Sequence, residues 1–241
     1  MCTVSIFPTG NNDFILTSNR DEAPSRISLP PQFYNFEGKQ LLYPKDELSD
    51  GTWVGISENS RLICLLNGGV KIHKRKKYYR KSRGLVVKEL LAMPHVVNVF
   101  NDYNFDDIEP FTLVIADWRD DLKLYEFIWD GFEKYFNNLP LQPKIWSSST
   151  LYNDVMKTER EDWFNIYKAH VQLDAESALD FHKTAGKGNL DYGVIMDRGI
   201  VKTTSITQVV KQNNVLEMRY ENVRNNLVTK ETFNFPEIVN D

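Results

Sequence analysis

The sequence is poor in the residues that make covalent or metal staples. Among its 241 residues are two cysteines, Cys2 and Cys64, and four histidines, His73, His95, His170 and His182. Two cysteines make no disulfide framework, so the fold has to rest on a hydrophobic core, and a reducing, cytoplasmic setting is expected. No two histidines have metal-ligand spacing and the cysteines lie far apart, so no metal site is expected. A phosphate-binding glycine loop is missing as well, and no cofactor is expected. No apolar run approaches the roughly 20 residues that span a bilayer. Nor does the start pair a basic stretch with a long apolar segment, so neither a transmembrane segment nor a signal peptide is expected. Charge of one sign is lacking: 29 lysines and arginines stand against 33 acidic residues, a net charge of −4. That balance gives no global attraction to nucleic acid or membrane. Repeats, low-complexity tracts and Pro/Gly/Ser-rich linkers are absent, so residues 1–241 read as a single domain. Nothing in the composition fixes an oligomeric state.

What is present is β-rich patterning with helices in two blocks. Runs at 2–7 and 13–18 flank the turn cluster Thr9-Gly10-Asn11-Asn12-Asp13, which predicts a hairpin. Residues 23–50 carry several prolines and few long apolar runs and read as an extended excursion. A second hairpin is expected from 52–57 and 61–67, turning at Glu58-Asn59-Ser60. Helical spacing follows at 84–92, with a second short helix at 95–102. Apolar strands are expected at 111–117, 122–129, 132–138 and 143–148. A helix over 154–171 is predicted to bury Trp163, Tyr167 and Val171. Asp174 reads as the N-cap of a helix ending before Gly186, and 200–235 as three antiparallel strands. Many hairpins with helices in two blocks imply an α+β layered fold.

Cys2 is the first candidate for chemistry. An initiator methionine is usually removed ahead of a small residue, which would leave Cys2 with a free α-amino group beside its own thiol. Their reference pKa values, about 7.7–8.0 and about 8.5, put base and nucleophile both near working pH. Position alone favours an ordinary small residue on a first strand. The tetrad Asn19-Arg20-Asp21-Glu22 ends the second strand, close to Cys2 if the first hairpin pairs, and a carboxylate there could hold the amine. The same four residues also suit a polar turn. Asn67 ends the apolar run Leu62-Ile63-Cys64-Leu65-Leu66 ahead of Gly68-Gly69, where its amide could serve a developing oxyanion. Cys64 reads as a core thiol. The dense basic run 71–83, with Tyr78 and Tyr79 interleaved, could steer an anionic small molecule or be a solvated loop.

In order along the chain stand Met1-Cys2-Thr3, the tetrad at 19–22, Gly51-Thr52-Trp53-Val54-Gly55, Leu66-Asn67 and Ser82-Arg83-Gly84. In these the sequence resembles the NRDE family, which includes the Transport and Golgi organisation 2 proteins, in its bacterial form. Through that family it resembles the N-terminal nucleophile hydrolases of the choloylglycine hydrolase and penicillin V acylase type. The resemblance implies a four-layer αββα sandwich of two antiparallel sheets. It implies Cys2 as nucleophile, Asp21 as holder of its amine, Asn67 as oxyanion donor with Asn19 beside the site, and Arg20, Arg83 and Ser148 toward the substrate. The implied activity is hydrolysis of a non-peptide amide or a thioester through a Cys2 acyl-enzyme. The alternative it leaves open is a carrier that binds lipid, acyl-coenzyme A or haem in the same pocket. The sequence departs from the hydrolases at three places. Their arginine three residues before the aspartate is Ser18 here, a mid-chain amide position falls in Ser147-Ser148-Ser149, and a late arginine falls in Thr203-Thr204-Ser205.

Overall fold

The computed structural model describes residues 3–95 and 100–235, and the backbone of Cys2. Alternating apolar runs joined by tight turns give antiparallel ladders throughout. The chain begins with β1 (Cys2–Gly10) and β2 (Asp13–Glu22), then β3 (Ser28–Phe36) and β4 (Lys39–Asp46), then β5 (Val54–Ser57) and β6 (Arg61–Asn67). Helix α1 (Arg83–Ala92) follows, then β7 (Phe111–Asp117), β8 (Lys123–Trp129), β9 (Lys134–Leu139) and β10 (Lys144–Ser147). Two helices, α2 (Asp154–His170) and α3 (Ala175–Thr184), precede β11 (Lys202–Gln212), β12 (Val215–Asn222) and β13 (Leu227–Asn234).

Among the described residues these strands form two sheets. One has the order β10-β1-β2-β11-β12-β13 and the other β3-β4-β5-β6-β7-β8-β9. β1 lies over β6, α1 packs on β4, β5 and β6, α3 packs on β2 and β11, and α2 packs on β10. The result is the αββα order of layers. Alternation decides which layer each side chain meets. On the first sheet Val4, Ile6, Phe14 and Leu16 join the large core that runs between the sheets. Phe7 and Ile15, of opposite parity, join Phe164, Ala178 and Phe181 under α2 and α3.

The first hairpin, the strands at 61–67 and 111–117 and the three strands within 200–235 lie where the sequence places them, and the second strand runs past 18 to Glu22. Residues 23–50 do not form a loose excursion: they contain the β3–β4 hairpin. Pro30 and Pro31 fall in the register break between Leu29 and Gln32 of β3, which is an edge strand of its sheet. A residue without an N–H is tolerated at such a place, so prolines there do not argue against a strand. The face of α2 also differs from expectation. Its buried residues are Arg160 and Phe164, with Trp163 and Tyr167 only partly covered and Val171 as the C-cap. Asp174 does cap α3, in a reciprocal box with Ser177. Of the short helix expected at 95–102, residues 96–99 lie outside the described residues.

The Gly51-Thr52 and Arg83-Gly84 segments meet backbone to backbone. A Cβ on Gly51 would stand 2.6 Å from the Gly84 carbonyl carbon, and the Thr52 N–H donates to the Gly84 carbonyl at 3.2 Å. Glycine at both positions therefore sets the start of α1 against the strand that precedes β5, and with it one wall of the site.

Candidate functional site

The end of β2 carries two different environments because its residues alternate. Asn19 and Asp21 face the helix layer, and Arg20 faces the space between the sheets. In the backbone register Cys2 pairs with Arg20 and Thr3 with Asn19, so the tetrad does end beside the start of β1.

On the helix side, Asp21 is fully buried. Tyr152 donates its hydroxyl to one carboxylate oxygen at 2.8 Å, and Thr203 donates to the other at 2.7 Å. Burial pushes the Asp21 pKa above its ordinary value, against the opposing pull of Arg160 and these two hydroxyls. Arg160 reaches in from α2 and is itself fully buried. It donates to the Thr3 hydroxyl at 2.7 Å, the Ser147 hydroxyl at 3.0 Å, and the carbonyls of Tyr192 at 2.9 Å and Gly193 at 3.0 Å. Its guanidinium carbon lies 3.9 Å from the centre of the Tyr152 ring.

Asn19 is spent on a second buried network. Its amide nitrogen donates to the carbonyls of His182 at 2.9 Å and Val194 at 2.7 Å. Its oxygen therefore accepts, at 2.7 Å, from Nδ1 of His182, which leaves Nε2 to accept from the Ser5 hydroxyl at 2.8 Å. The array Ser5–His182–Asn19 has the chain of contacts of a catalytic triad, yet all three residues are 0% exposed and lie between β1, β2 and α3. Its role is to fasten α3 to the sheet. Burial, with Arg160 adding to it, lowers the His182 pKa to about 3. A buried neutral histidine of this kind contributes stability in full above its unfolded pKa of about 6.5, and that contribution is lost as pH falls toward 3. Between these limits unfolding stability should fall by about 1.4 kcal/mol per pH unit from this one group. The His182→Gln variant should lose that slope in urea titrations; an unchanged slope would contradict the assignment.

On the other side lies a cavity of about 370 Å³. Arg20 forms its inner wall, donating to Asp46 at 2.6 Å with its guanidinium carbon 4.7 Å from the centre of the Trp53 ring. Asp46 also takes Arg26 at 2.7 Å and both the N–H and the hydroxyl of Ser49. Burial would raise the Asp46 pKa, but the bonds from Arg26 and Ser49 outweigh it and hold it below the ordinary value. Asn67 lines the cavity at the end of β6. Its backbone carbonyl accepts from the Ser148 hydroxyl at 2.6 Å, which ties the end of β10 to the end of β6 across the two sheets. Ser148 itself is 1% exposed and acts as a strut behind the cavity. Arg83, the first residue of α1, lines the outer part and pairs with Glu109 at 3.1 Å. Burial draws its pKa below the usual value, with Glu109 opposing.

The structure thus brings Arg20, Asn67 and Arg83 to one cavity and puts Asp21 and Asn19 directly behind it. The departures from the hydrolase pattern become intelligible in the register. Ser18 shares the face of Arg20, and Ser205 pairs with Arg20 across β2–β11. The two positions that lack arginine flank one that has it. No site role was assigned from sequence to Arg160, Tyr152, Thr203, His182, Asp46 or Trp53, although Trp53 stands in the Gly-Thr-Trp segment that carries the resemblance and Arg160 lies one turn before Phe164 on the buried stripe of a helix.

Among the described residues no group of three or more His, Cys, Asp or Glu side chains could hold a metal ion, and no helix is long and apolar enough to cross a membrane. The model of a protein family, Transport and Golgi organisation 2, matches residues 1–178. No curated protein matches in sequence. Among solved structures, a variant of the conjugated bile acid hydrolase from Clostridium perfringens is similar over 98% of this chain and 97% of its own, with 11% identity and a TM-score of 0.56. Penicillin V acylase from Agrobacterium tumefaciens is similar over 95% of this chain and 85% of its own, with 12% identity and a TM-score of 0.55. The Caenorhabditis elegans ortholog of N-acylethanolamine-hydrolyzing acid amidase is similar over 87% and 92%, with 11% identity and a TM-score of 0.59. At these identities the likeness is one of fold, that of the N-terminal nucleophile hydrolases.

Proposed function

The chain belongs to the Transport and Golgi organisation 2 family, and from that premise and the geometry of the β1–β2 end we propose that it is an N-terminal cysteine hydrolase. It would act, as a single domain in a reducing compartment, on a non-peptide amide or a thioester of a small, negatively charged molecule. Removal of Met1 would expose the Cys2 amine. The thiolate attacks the acyl carbon, the amine takes the thiol proton and returns it to the leaving amine or thiol, and water then cleaves the acyl-cysteine to release the acid.

The observation that carries the reading is the division of labour at the end of β2. Asp21 has the parity of Asn19, whereas position 2 of β1 has the parity of Val4 and Ile6. The carboxylate is therefore suited to hold the chain's amine from behind the strand. Tyr152 and Thr203 fix both its oxygens, so its geometry is preorganised. Ser148 holds the Asn67 backbone carbonyl, and the Asn67 side-chain amide would donate to the oxyanion. Arg20 would supply the guanidinium that Ser18 and Ser205 do not, and Asn19 would act as a positioning residue through α3.

A carrier using the same cavity is the second reading, favoured by the same two serines. Incubation with a panel of acyl amides and thioesters separates the two. A hydrolase releases free acid in excess of the protein, while a carrier returns its ligand unchanged at one equivalent or less.

A further inference from the structure

Residues 71–82 of the basic run belong to no named strand or helix, and Arg83 at its end opens α1, but the run is tied down along its length. Glu109 takes Arg75 at 3.7 Å, Arg83 at 3.1 Å and His73 at 3.4 Å. Asp107 takes Lys76 at 3.2 Å. Arg80 donates to the carbonyls of Asn104 at 2.7 Å and Asp106 at 3.2 Å, and Lys81 pairs with Glu89 at 2.5 Å. A solvated loop would not need these tethers. They hold the run as a strap along the mouth of the cavity, and its residues 75–79 and 81–83 line that cavity.

The charges there do not balance. Seven cations line the cavity, Arg20, Arg26, Arg75, Lys76, Lys77, Lys81 and Arg83, against three carboxylates, Glu22, Asp46 and Glu109. Asp107 and Glu89, which stand just outside it, take up Lys76 and Lys81, and two positive charges remain in excess. Helix α1 adds to the field. Its first residues, with the cap Ser82, lie at the same wall, and its first turn has no acidic side chain, so the positive end of its dipole is uncompensated. The buried indole N–H of Trp53 also has no partner among the described residues. Each of these features favours an oxyanion, and the excess of two favours a doubly charged one.

We infer that the mouth of this cavity is a subsite for a dianionic oxyanion group of the phosphate monoester type, held by the strap at Arg75 and Lys77 and by Arg83, since Arg75 and Arg83 share the single carboxylate of Glu109. The inference rests on the proposed site for its location but not on the chemistry of Cys2. The tethers to Glu109, Asp107 and Glu89 hold the strap in place, so little ordering entropy opposes binding. A phosphate monoester is doubly charged above its second pKa of about 6, whereas a carboxylate carries one charge. The second charge should add about tenfold or more in affinity beside several cations at close range.

The test is isothermal titration calorimetry at pH 8 and low salt on wild-type and Cys2→Ala protein, with phenyl phosphate, benzoate and benzyl alcohol as probes. Phenyl phosphate should bind both proteins at least about tenfold more tightly than benzoate, and benzyl alcohol should give no measurable heat. The double variant Arg75→Gln/Lys77→Gln should lose about tenfold of the phenyl phosphate affinity with an unchanged unfolding midpoint, because both side chains stand in solvent. Equal affinity for the two anions, or phenyl phosphate binding by the double variant at wild-type strength, would overturn the subsite. Because binding is read on protein without the thiol, failure of the hydrolase reading leaves this result untouched, and the reverse also holds.

Discussion

The Cys2→Ala variant should lose turnover of its acyl substrate by roughly a thousandfold or more while keeping its affinity for that substrate. The size follows from what one residue supplies. Cys2 would provide the nucleophile through its side chain and the general base through its amine. Alanine removes the first and leaves the second with no proton to take. Asp21, Asn67 and Arg20 remain in place in the variant, so binding and the residual electrostatic stabilisation survive. Cys64 cannot substitute, because it is 0% exposed in the core between the sheets. The pair of readouts matters. Loss of turnover with retained binding is the signature of a group used in the transition state. Equal turnover in variant and wild type would remove Cys2 from the mechanism.

The largest effect on stability should come from Arg160→Met. Methionine is shorter but fills most of the space, and it abandons two hydroxyls and two carbonyls that Arg160 satisfies in a fully buried place. It also strips the buried Asp21 of the positive charge that opposes its desolvation. Breaking a buried polar network from one side in this way costs about 3–5 kcal/mol. Against a total of about 5–15 kcal/mol that is a large fraction, and for a chain of this size it should lower the unfolding midpoint by roughly 6–20 °C. Arg160→Lys should recover part of the loss, since it restores the charge but not the planar set of donors. A change below about 1 kcal/mol in urea titrations of the methionine variant would show that the network does not hold the layers together.

The elements that could be read from sequence are those whose pattern is local. β6 and β7 are short continuous apolar runs between turn residues and lie at 61–67 and 111–117 as expected. Asp174 is legible because a cap needs only the residues that follow it. The β3–β4 hairpin escaped because prolines were weighed as breakers, when an edge strand with a register break accommodates them. The face of α2 differs because four-residue spacing draws the stripe through Trp163, Tyr167 and Val171, whereas the buried residues are Phe164 and the charged Arg160, whose polar partners lie far along the chain. For the site, Cys2, Asp21, Arg20 and Asn67 stand at strand ends and could be singled out from spacing and resemblance. Tyr152, Thr203, Arg160 and His182 meet β1 and β2 from far along the chain, through layer packing that no periodicity encodes. The alternation of β2 gave the most useful correction to the chemistry. It divides the tetrad into a buried carboxylate behind the strand and a guanidinium in front of it, and that division fits amine-holding and substrate-side roles better than a single polar turn does.

The most direct measurement is the intact mass of the native protein before and after mixing with a slowly turned-over acyl amide or thioester, with peptide mapping of any adduct. The account expects a chain that begins at Cys2 without Met1, and a transient gain of one acyl group located on Cys2. A protein that hydrolyses the substrate while retaining Met1, or that carries the acyl group on any other residue, would contradict it.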